Sequence, residues 1–394
     1  MRLAIAAVFL LIATPGQAAR EVPAEGIQPS GMSNFCTKVD CVDSLSKFRT
    51  IREIEPSASP TPLRYRTDLG FSERHKIGKA NAIFSANPTL AMILIDKGEI
   101  ILERYHPEIT EKTPLLGYSM SKSLTSMTVG KAHCAGDLRD LDVQAKAVNP
   151  SLGETAYGEA TVRQLLMMAS GAIRGSAPSG GSPYRAGLGN PADRPVYWSS
   201  LNQLRKFGAN QPKQDGALVQ AGEEFSYKNL DTQALAFLFP TTGEKSFTSV
   251  FESAIWQASG AEDKGYWIHD SAGTIYTMAS FHATARDWAR LAMALLDSVA
   301  SPKGDCYGDY IKEATTTRIR NNSRAMGEDY WIGRAFAGYG YQFWTLNDAD
   351  PDAIYLNGAL GQRIAISPKK QRIMVVFSHA ESYMGELYRF FAEW

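Results

Sequence analysis

Net charge is the first thing missing from these 394 residues: Lys and Arg together number 41, and so do Asp and Glu. A balanced chain has no bulk field to draw nucleic acid, an anionic membrane or a polyacidic ligand, so none of these is expected as a partner. A small-molecule or peptide-like substrate is the default. Histidine is scarce, at six and scattered, and cysteine stops at four: Cys36, Cys41, Cys134 and Cys306. One C-x4-C pair with two distant single cysteines lacks the paired close spacings of a zinc site, so neither metal nor cofactor is expected. The cysteines read as structural. A Cys36–Cys41 bridge would close a small N-terminal loop, but four cysteines allow three pairings and the sequence does not choose among them.

Long apolar runs are missing as well. The stretch Leu3–Ala13 is too short to cross a bilayer, and no other segment approaches the roughly 18 uninterrupted apolar residues a span requires. Arg2 precedes it and Gly16, Ala18 and Ala19 follow, which is the layout of a secretory signal peptide over residues 1–19. The expected location is therefore periplasmic or secreted, with no membrane span left after cleavage. No cysteine follows the run, which argues against a lipid-modified start.

What is present suffices for a large core, at 44% hydrophobic and 21% charged residues. Residues 20–66, with PSASPTP at 56–62, read as an irregular leader that wraps the body. Thr89 to Tyr105 gives two β-branched runs around Asp96-Lys97-Gly98, a hairpin signal. A helix is expected from near Ser119 to Ala135, on a weak apolar stripe, and others over Thr161–Ser170, Asp231–Pro240 and Thr284–Ala300. Between the second and third of these lies a Gly/Pro/Ser loop, 171–195, either functional or a solvated insertion. Strands return at Gly340–Leu346, Ile354–Ile366 and Arg372–His379, before an amphipathic Met384–Trp394. The expected class is α+β, an antiparallel β-sheet flanked by helices. One catalytic domain over 67–394 would build its α/β part from 67–135 and 335–394, with a mostly helical region, 136–334, inserted between them.

The chemistry-bearing residues fall into three groups. Ser119-Met120-Ser121-Lys122 is a Ser-x-x-Lys, and on a helix positions i and i+3 share a face, so the amine can reach the hydroxyl and take its proton. Alone, the pattern more often describes a helix-capping serine followed by a surface lysine. Two further matches, Ser44–Lys47 in the leader and Ser367–Lys370 in a Pro-containing turn, show how weak it is by itself. Only Ser119 follows a strand pair and opens a helix. The second group is Tyr227-Lys228-Asn229, where an extended backbone points Tyr227 and Asn229 the same way. A phenol beside an amine can carry a proton, and an Asn can orient the Lys or bind an amide carbonyl. Third comes Leu356-Asn357-Gly358-Ala359-Leu360-Gly361-Gln362-Arg363, a strand whose glycine admits a close neighbour and whose edge can offer a backbone N–H to an oxyanion.

In this order the three groups resemble the serine β-lactamase and penicillin-binding-protein superfamily, in particular the class C-like group with its esterase and 6-aminohexanoate-dimer hydrolase relatives. Supporting phrases are Thr161–Gly171, Thr284-Ala285-Arg286-Asp287 and Gly338–Trp344, and the likeness runs from about residue 85 to 380. It implies Ser119 as acylated nucleophile, Lys122 as its proton partner and Tyr227 as general acid/base. Asn229 would contact substrate and Lys122, and Ala359, after Gly358, would supply an oxyanion N–H beside that of Ser119. Where β-lactamases place Lys or His before Thr/Ser-Gly, this chain has Leu356, which moves the expectation toward an exported amidase or esterase. Arg363 is the nearest alternative cation in that segment. A β-lactamase or DD-peptidase proper, and a non-hydrolytic binder or sensor on the same fold, are the alternatives. Substrate identity and oligomeric state are not legible.

Overall fold

The computed structural model describes residues 50–173, 199–213, 215–270, 272–300, 304–322 and 331–394. The signal segment, the Cys36 and Cys41 pair, the Ser44–Lys47 match and most of the 171–195 loop lie outside the described residues.

Among the described residues, nine strands form one sheet in the order β2-β4-β3-β13-β12-β11-β10-β9-β8. From the N-terminal end come β2 (Arg64–Tyr65), β3 (Thr89–Asp96) and β4 (Glu99–Tyr105). From the C-terminal end come β8 (Ile319–Arg320), β9 (Phe336–Tyr339), β10 (Trp344–Asn347), β11 (Ile354–Gly358), β12 (Gln362–Ser367) and β13 (Arg372–Ser378). The β3–β4 hairpin turns on Lys97 and Gly98, with φ of 53° and 78°, the doubly left-handed turn that fits two twisted strands. The two chain ends join where β13 pairs antiparallel with β3, Met374 opposite Leu94 and Val376 opposite Met92. Every pair in this sheet is antiparallel except β2 with β4.

Period-two alternation gives the sheet two apolar faces. Ile373, Val375 and Phe377 enter one core with Ile93, Ile95, Leu356 and Ile364, while Met374 and Val376 enter the other with Met92, Leu94 and Tyr355. Each fully buried side chain of this kind is worth roughly 1.5–3 kcal/mol, so a one-residue slip, which would exchange the two faces, is strongly disfavoured. Helices α1 (Phe71–Ala86) and α7 (Met384–Glu393) cover the second face. The first is covered by α2 (Met120–Cys134) and α5 (Ala285–Ala300).

Several expected boundaries shift. The leader is not irregular throughout: β1 (Thr50–Ile54) pairs along its whole length with β6 (Gly265–His269). With β5 (Leu115–Leu116) and β7 (His282–Ala283) these make a four-stranded sheet, β1-β6-β7-β5, so the stretch expected to be mostly helical carries strands as well. Strands of two residues leave no period to read. The Thr161–Ser170 helix contracts to α3 (Val162–Leu166), because Met168 turns left-handed at φ 59°. Of the strand expected over Gly340–Leu346, Trp344–Leu346 falls in β10 while residues 340–343 are the turn from β9 into it, with Gln342 at φ 64°, and Ile354–Ile366 divides into β11 and β12 about residues 359–361. The remaining elements used below are α4 (Asn229–Ala236) and α6 (Cys306–Ala314).

Cys134, the last residue of α2, is bonded to Cys306, the first of α6, across 172 residues of sequence. Cross-links of this kind typically contribute about 2–4 kcal/mol by restricting the unfolded chain. The double variant Cys134→Ser/Cys306→Ser should lose stability by about that amount in a urea titration; an unchanged midpoint would show the bridge to be dispensable.

Candidate active site

The backbone delivers Ser119 to the head of α2 in an unusual way. Leu116 pairs with His282, the Gly117 N–H donates to the Phe281 carbonyl at 2.9 Å, and Tyr118 then adopts φ 46° before Ser119 enters the helical region at φ −68°. A bulky residue held left-handed immediately before a polar one is strain that surrounding packing must impose. Gly117 has no room for a side chain, since a Cβ there would lie 2.4 Å from the Trp288 ring. Ser119 is half-buried and its side chain makes no helix-capping bond. The capping interpretation of the motif therefore fails, and so does the surface lysine, because Lys122 is 1% exposed.

Lys122 Nζ sits among three oxygens: Ser119 Oγ at 3.0 Å, Asn229 Oδ1 at 2.8 Å and the Met278 carbonyl at 2.6 Å. Burial disfavours its charged form and brings the amine from an ordinary 10.5 down to about 7. The neutral amine has two N–H donors and one lone pair. Asn229 Oδ1 and the Met278 carbonyl can only accept, so they take the two donors and leave the lone pair facing the Ser119 hydroxyl. Asn229 opens α4, and Tyr227, in the extended backbone just before it, places its ring centroid 5.2 Å from Lys122 Nζ. The Tyr227 ring is itself fixed by Trp344, at 5.0 Å between centroids, and by Tyr339 at 6.2 Å.

The third group reaches the same place. A Cβ on Gly358 would lie 2.2 Å from the Gly117 carbonyl and 3.1 Å from Tyr118 Cβ, so the end of β11 abuts the strained residues that precede Ser119. Ala359, half-buried, follows directly. Leu356, on the face turned toward α2, is buried in the same core as Met120 and Leu124. Arg363 is not a free cation: its Nη1 donates to the Gly358 and Gln362 carbonyls and its Nε to the Tyr388 hydroxyl. Ser119, Lys122, Tyr227, Asn229 and Gly358 thus converge from three distant stretches of sequence. The Ser367–Lys370 match stays apart, with Lys369 on Asp352 at 2.6 Å and Lys370 on the Ala392 carbonyl.

Compared with known proteins, residues 83–389 match the family model described as Beta-lactamase. The chain belongs to the beta-lactamase family. Among solved structures, it is similar to a candidate 6-aminohexanoate-dimer hydrolase from Bacillus anthracis, at TM-score 0.67 and 20% identity over 89% of this chain and 90% of that one. It is also similar to EstCE1, a hydrolase with promiscuous acyltransferase activity, at TM-score 0.61 and 13% identity over 82% and 99% of the two chains. The octameric penicillin-binding protein homologue of Pyrococcus abyssi follows at TM-score 0.59 and 18% identity, over 83% and 77%. Identities this low speak to the fold, which agrees with the expected α+β class.

Sequence reasoning missed some parts of this beta-lactamase-family site. The Met278 carbonyl carries no signal, since every residue has one. Gln342 is a hub: its Nε2 donates to the Leu165 and Leu166 carbonyls, its Oε1 accepts from Thr232 Oγ1 at 2.8 Å, and its own carbonyl accepts from Ser123 Oγ at 2.6 Å. It therefore ties α2, α3 and α4 together behind the site. Asp231, fully buried on α4, accepts from Ser170 Oγ and N–H, and burial pushes its carboxyl up.

The depressed Lys122 value has a sign that can be tested. With the folded value about 7 against an ordinary 10.5, the unfolded chain holds a proton between those limits that the folded amine has released, so raising pH across that window favours the folded state. If Lys122 is the base, kcat/KM should rise with pH through an apparent value near 7 and then level. A profile flat from pH 5 to 9 would remove Lys122 from that role.

Proposed function

We propose that the chain is an exported serine hydrolase that cleaves an amide or ester bond through an acyl-Ser119 intermediate. The carrying observation is the buried Lys122 amine, hydrogen-bonded at once to Ser119 Oγ, Asn229 Oδ1 and the Met278 carbonyl. In the first half-reaction neutral Lys122 takes the Ser119 proton while Oγ attacks the substrate carbonyl carbon. The N–H groups of Ser119 and Ala359 receive the oxyanion; first-turn helix N–H groups such as that of Ser119 have no intrahelical acceptor. The proton passes by way of Tyr227 to the leaving nitrogen or oxygen as the carbonyl–heteroatom bond breaks. Water then adds to the acyl-serine, Tyr227 and Lys122 take its proton, and Ser119 leaves reprotonated with the acid released.

Two similar folds lend support to the substrate class: one protein carries a 6-aminohexanoate-dimer hydrolase description, an amide substrate, and EstCE1 is described as a hydrolase with acyltransferase activity. Leu356 points the same way. An apolar side chain in the core gives no grip to an antibiotic's carboxylate. A fluorophosphonate should label the wild type and not Ser119→Ala, and a panel of short esters, amide dimers and a chromogenic cephalosporin should show turnover of the first two classes over the third. Equal labelling of both proteins would end the acyl-Ser119 reading, and rapid cephalosporin turnover would replace it with a β-lactamase.

Export is supported by the 1–19 segment and by the Cys134–Cys306 bond, since such bonds persist in oxidising compartments. Mass spectrometry of the mature protein should place its N-terminus at Ala19 or Arg20. Recovery of the uncleaved chain from the cytosol would count against export.

A further inference from the structure

The turn between β11 and β12 is held by side chains on almost every side. Arg363 Nη1 donates to the Gly358 carbonyl and, at 2.7 Å, to the Gln362 carbonyl, while Nε donates to the Tyr388 hydroxyl on α7 at 2.8 Å. Gln362 Nε2 donates to the Ala359 carbonyl at 3.0 Å and is braced by the Ser378 carbonyl on β13 at 2.8 Å. Glu381 Oε1 accepts the Leu360 N–H at 2.8 Å and lies 4.0 Å from Arg363 Nη2. Leu360 sits at φ 62°, a conformation a leucine keeps only where its surroundings enforce it. None of these bonds uses the Ala359 N–H. Because a trans peptide is planar, its N–H points opposite its C=O, so whatever fixes the Gly358 carbonyl also aims the Ala359 N–H.

We propose that Arg363 is a positioning residue for the oxyanion, aiming and polarising the Gly358–Ala359 peptide from the side away from the substrate. This rests on the acyl-Ser119 reading. A guanidinium on the carbonyl makes a charge-assisted bond, and bonds in series polarise one another, so the N–H at the far end becomes the stronger donor. The buried cation has Glu381 as its nearby counter-charge, and Glu381 holds the next peptide in turn. Since negative charge on the substrate oxygen develops only on the way to the tetrahedral intermediate, the effect falls on kcat more than on KM.

The test compares an ester with its thionoester, whose sulfur gains less from hydrogen-bond donors. Arg363→Lys keeps the positive charge but not the planar fork that reaches two carbonyls and Tyr388. Its kcat on the ester should fall about 10- to 100-fold, somewhat less than the roughly 10²–10³ lost when an oxyanion donor is removed outright. KM should change little, and the ester-to-thionoester rate ratio should drop about tenfold or more. Tyr388→Phe, a milder change that frees Arg363 Nε, should move the ratio the same way by a few-fold and covers the case in which Arg363→Lys does not fold. If folded variants slow both substrates by one common factor, Arg363 serves only the fold and the proposal is overturned while the acyl-Ser119 reading stands. A wild type that turns over neither substrate and resists fluorophosphonate overturns both.

Discussion

A lysine amine buried at the first turn of a helix is the constraint on which the rest of the site depends. Removed from water, the ammonium form is disfavoured, and burial brings Lys122 down to about 7. Burial alone would leave an amine of arbitrary orientation. What makes it directional is that its neighbours are unequal: Asn229 Oδ1 and the Met278 carbonyl can only accept, whereas the Ser119 hydroxyl can also donate. The lone pair is thereby aimed by hydrogen-bond bookkeeping. The three partners belong to α4, to a backbone segment ahead of β7 and to the head of α2, so the amine is poised only when all three segments have docked.

That docking follows from the sheet. β3 and β13 come from opposite ends of the chain and pair in a register fixed by two buried faces, which brings β11 and β12 to the side of the sheet that α2 covers. The contact is close because Gly358 lets β11 press on the Gly117 carbonyl, while Gly117 lets the same backbone press on Trp288 of α5. Two missing side chains, one on each partner, let strand and nucleophile turn meet. The positive φ values of Tyr118 and Leu360 fall on the residues flanking this contact, one before Ser119 and one after Ala359. Two of the seven described non-glycine residues with positive φ thus flank the contact that positions the nucleophile.

The parts legible in the sequence were those with a period or a motif in context. The β3–β4 hairpin announced itself through its alternating runs and Asp96-Lys97-Gly98, and α5 through its apolar stripe. Ser119, Lys122, Tyr227, Asn229 and Gly358 could be named because a strand pair, a helix start and the order of three motifs singled them out. The strand at Thr50–Ile54 could not be, because its partner lies more than two hundred residues away and only that pairing makes it a strand. The turn at Gly340–Phe343 reads as strand because Tyr341 and Phe343 are aromatics at alternate positions, while the left-handed Gln342 between them is fixed by bonds to α3 and α4 rather than by local propensity. Arg363 was visible as a charge, but its direction was not.

The weak stripe of α2 has the same physical origin. This helix is buried on nearly all sides, so it has no solvent face against which an apolar face could stand out. Its small polar residues join it to different neighbours: Ser121 Oγ accepts the Phe281 N–H at 3.0 Å, Ser123 Oγ donates to the Gln342 carbonyl, Thr125 Oγ1 donates to the Thr277 carbonyl at 3.0 Å, and Ser126 Oγ pairs with the Tyr310 hydroxyl at 2.9 Å. A buried hydrogen bond contributes only about 0.5–1.5 kcal/mol net, but a partner left unsatisfied costs about 1–3 kcal/mol, so each hydroxyl penalises a rotated or shifted helix more than it stabilises the correct one. An apolar helix of the same shape could slide or turn against its neighbours at less cost. The serines around Ser119 are therefore best understood as the groups that fix the rotation of α2, and with it the direction in which Ser119 and Lys122 face each other.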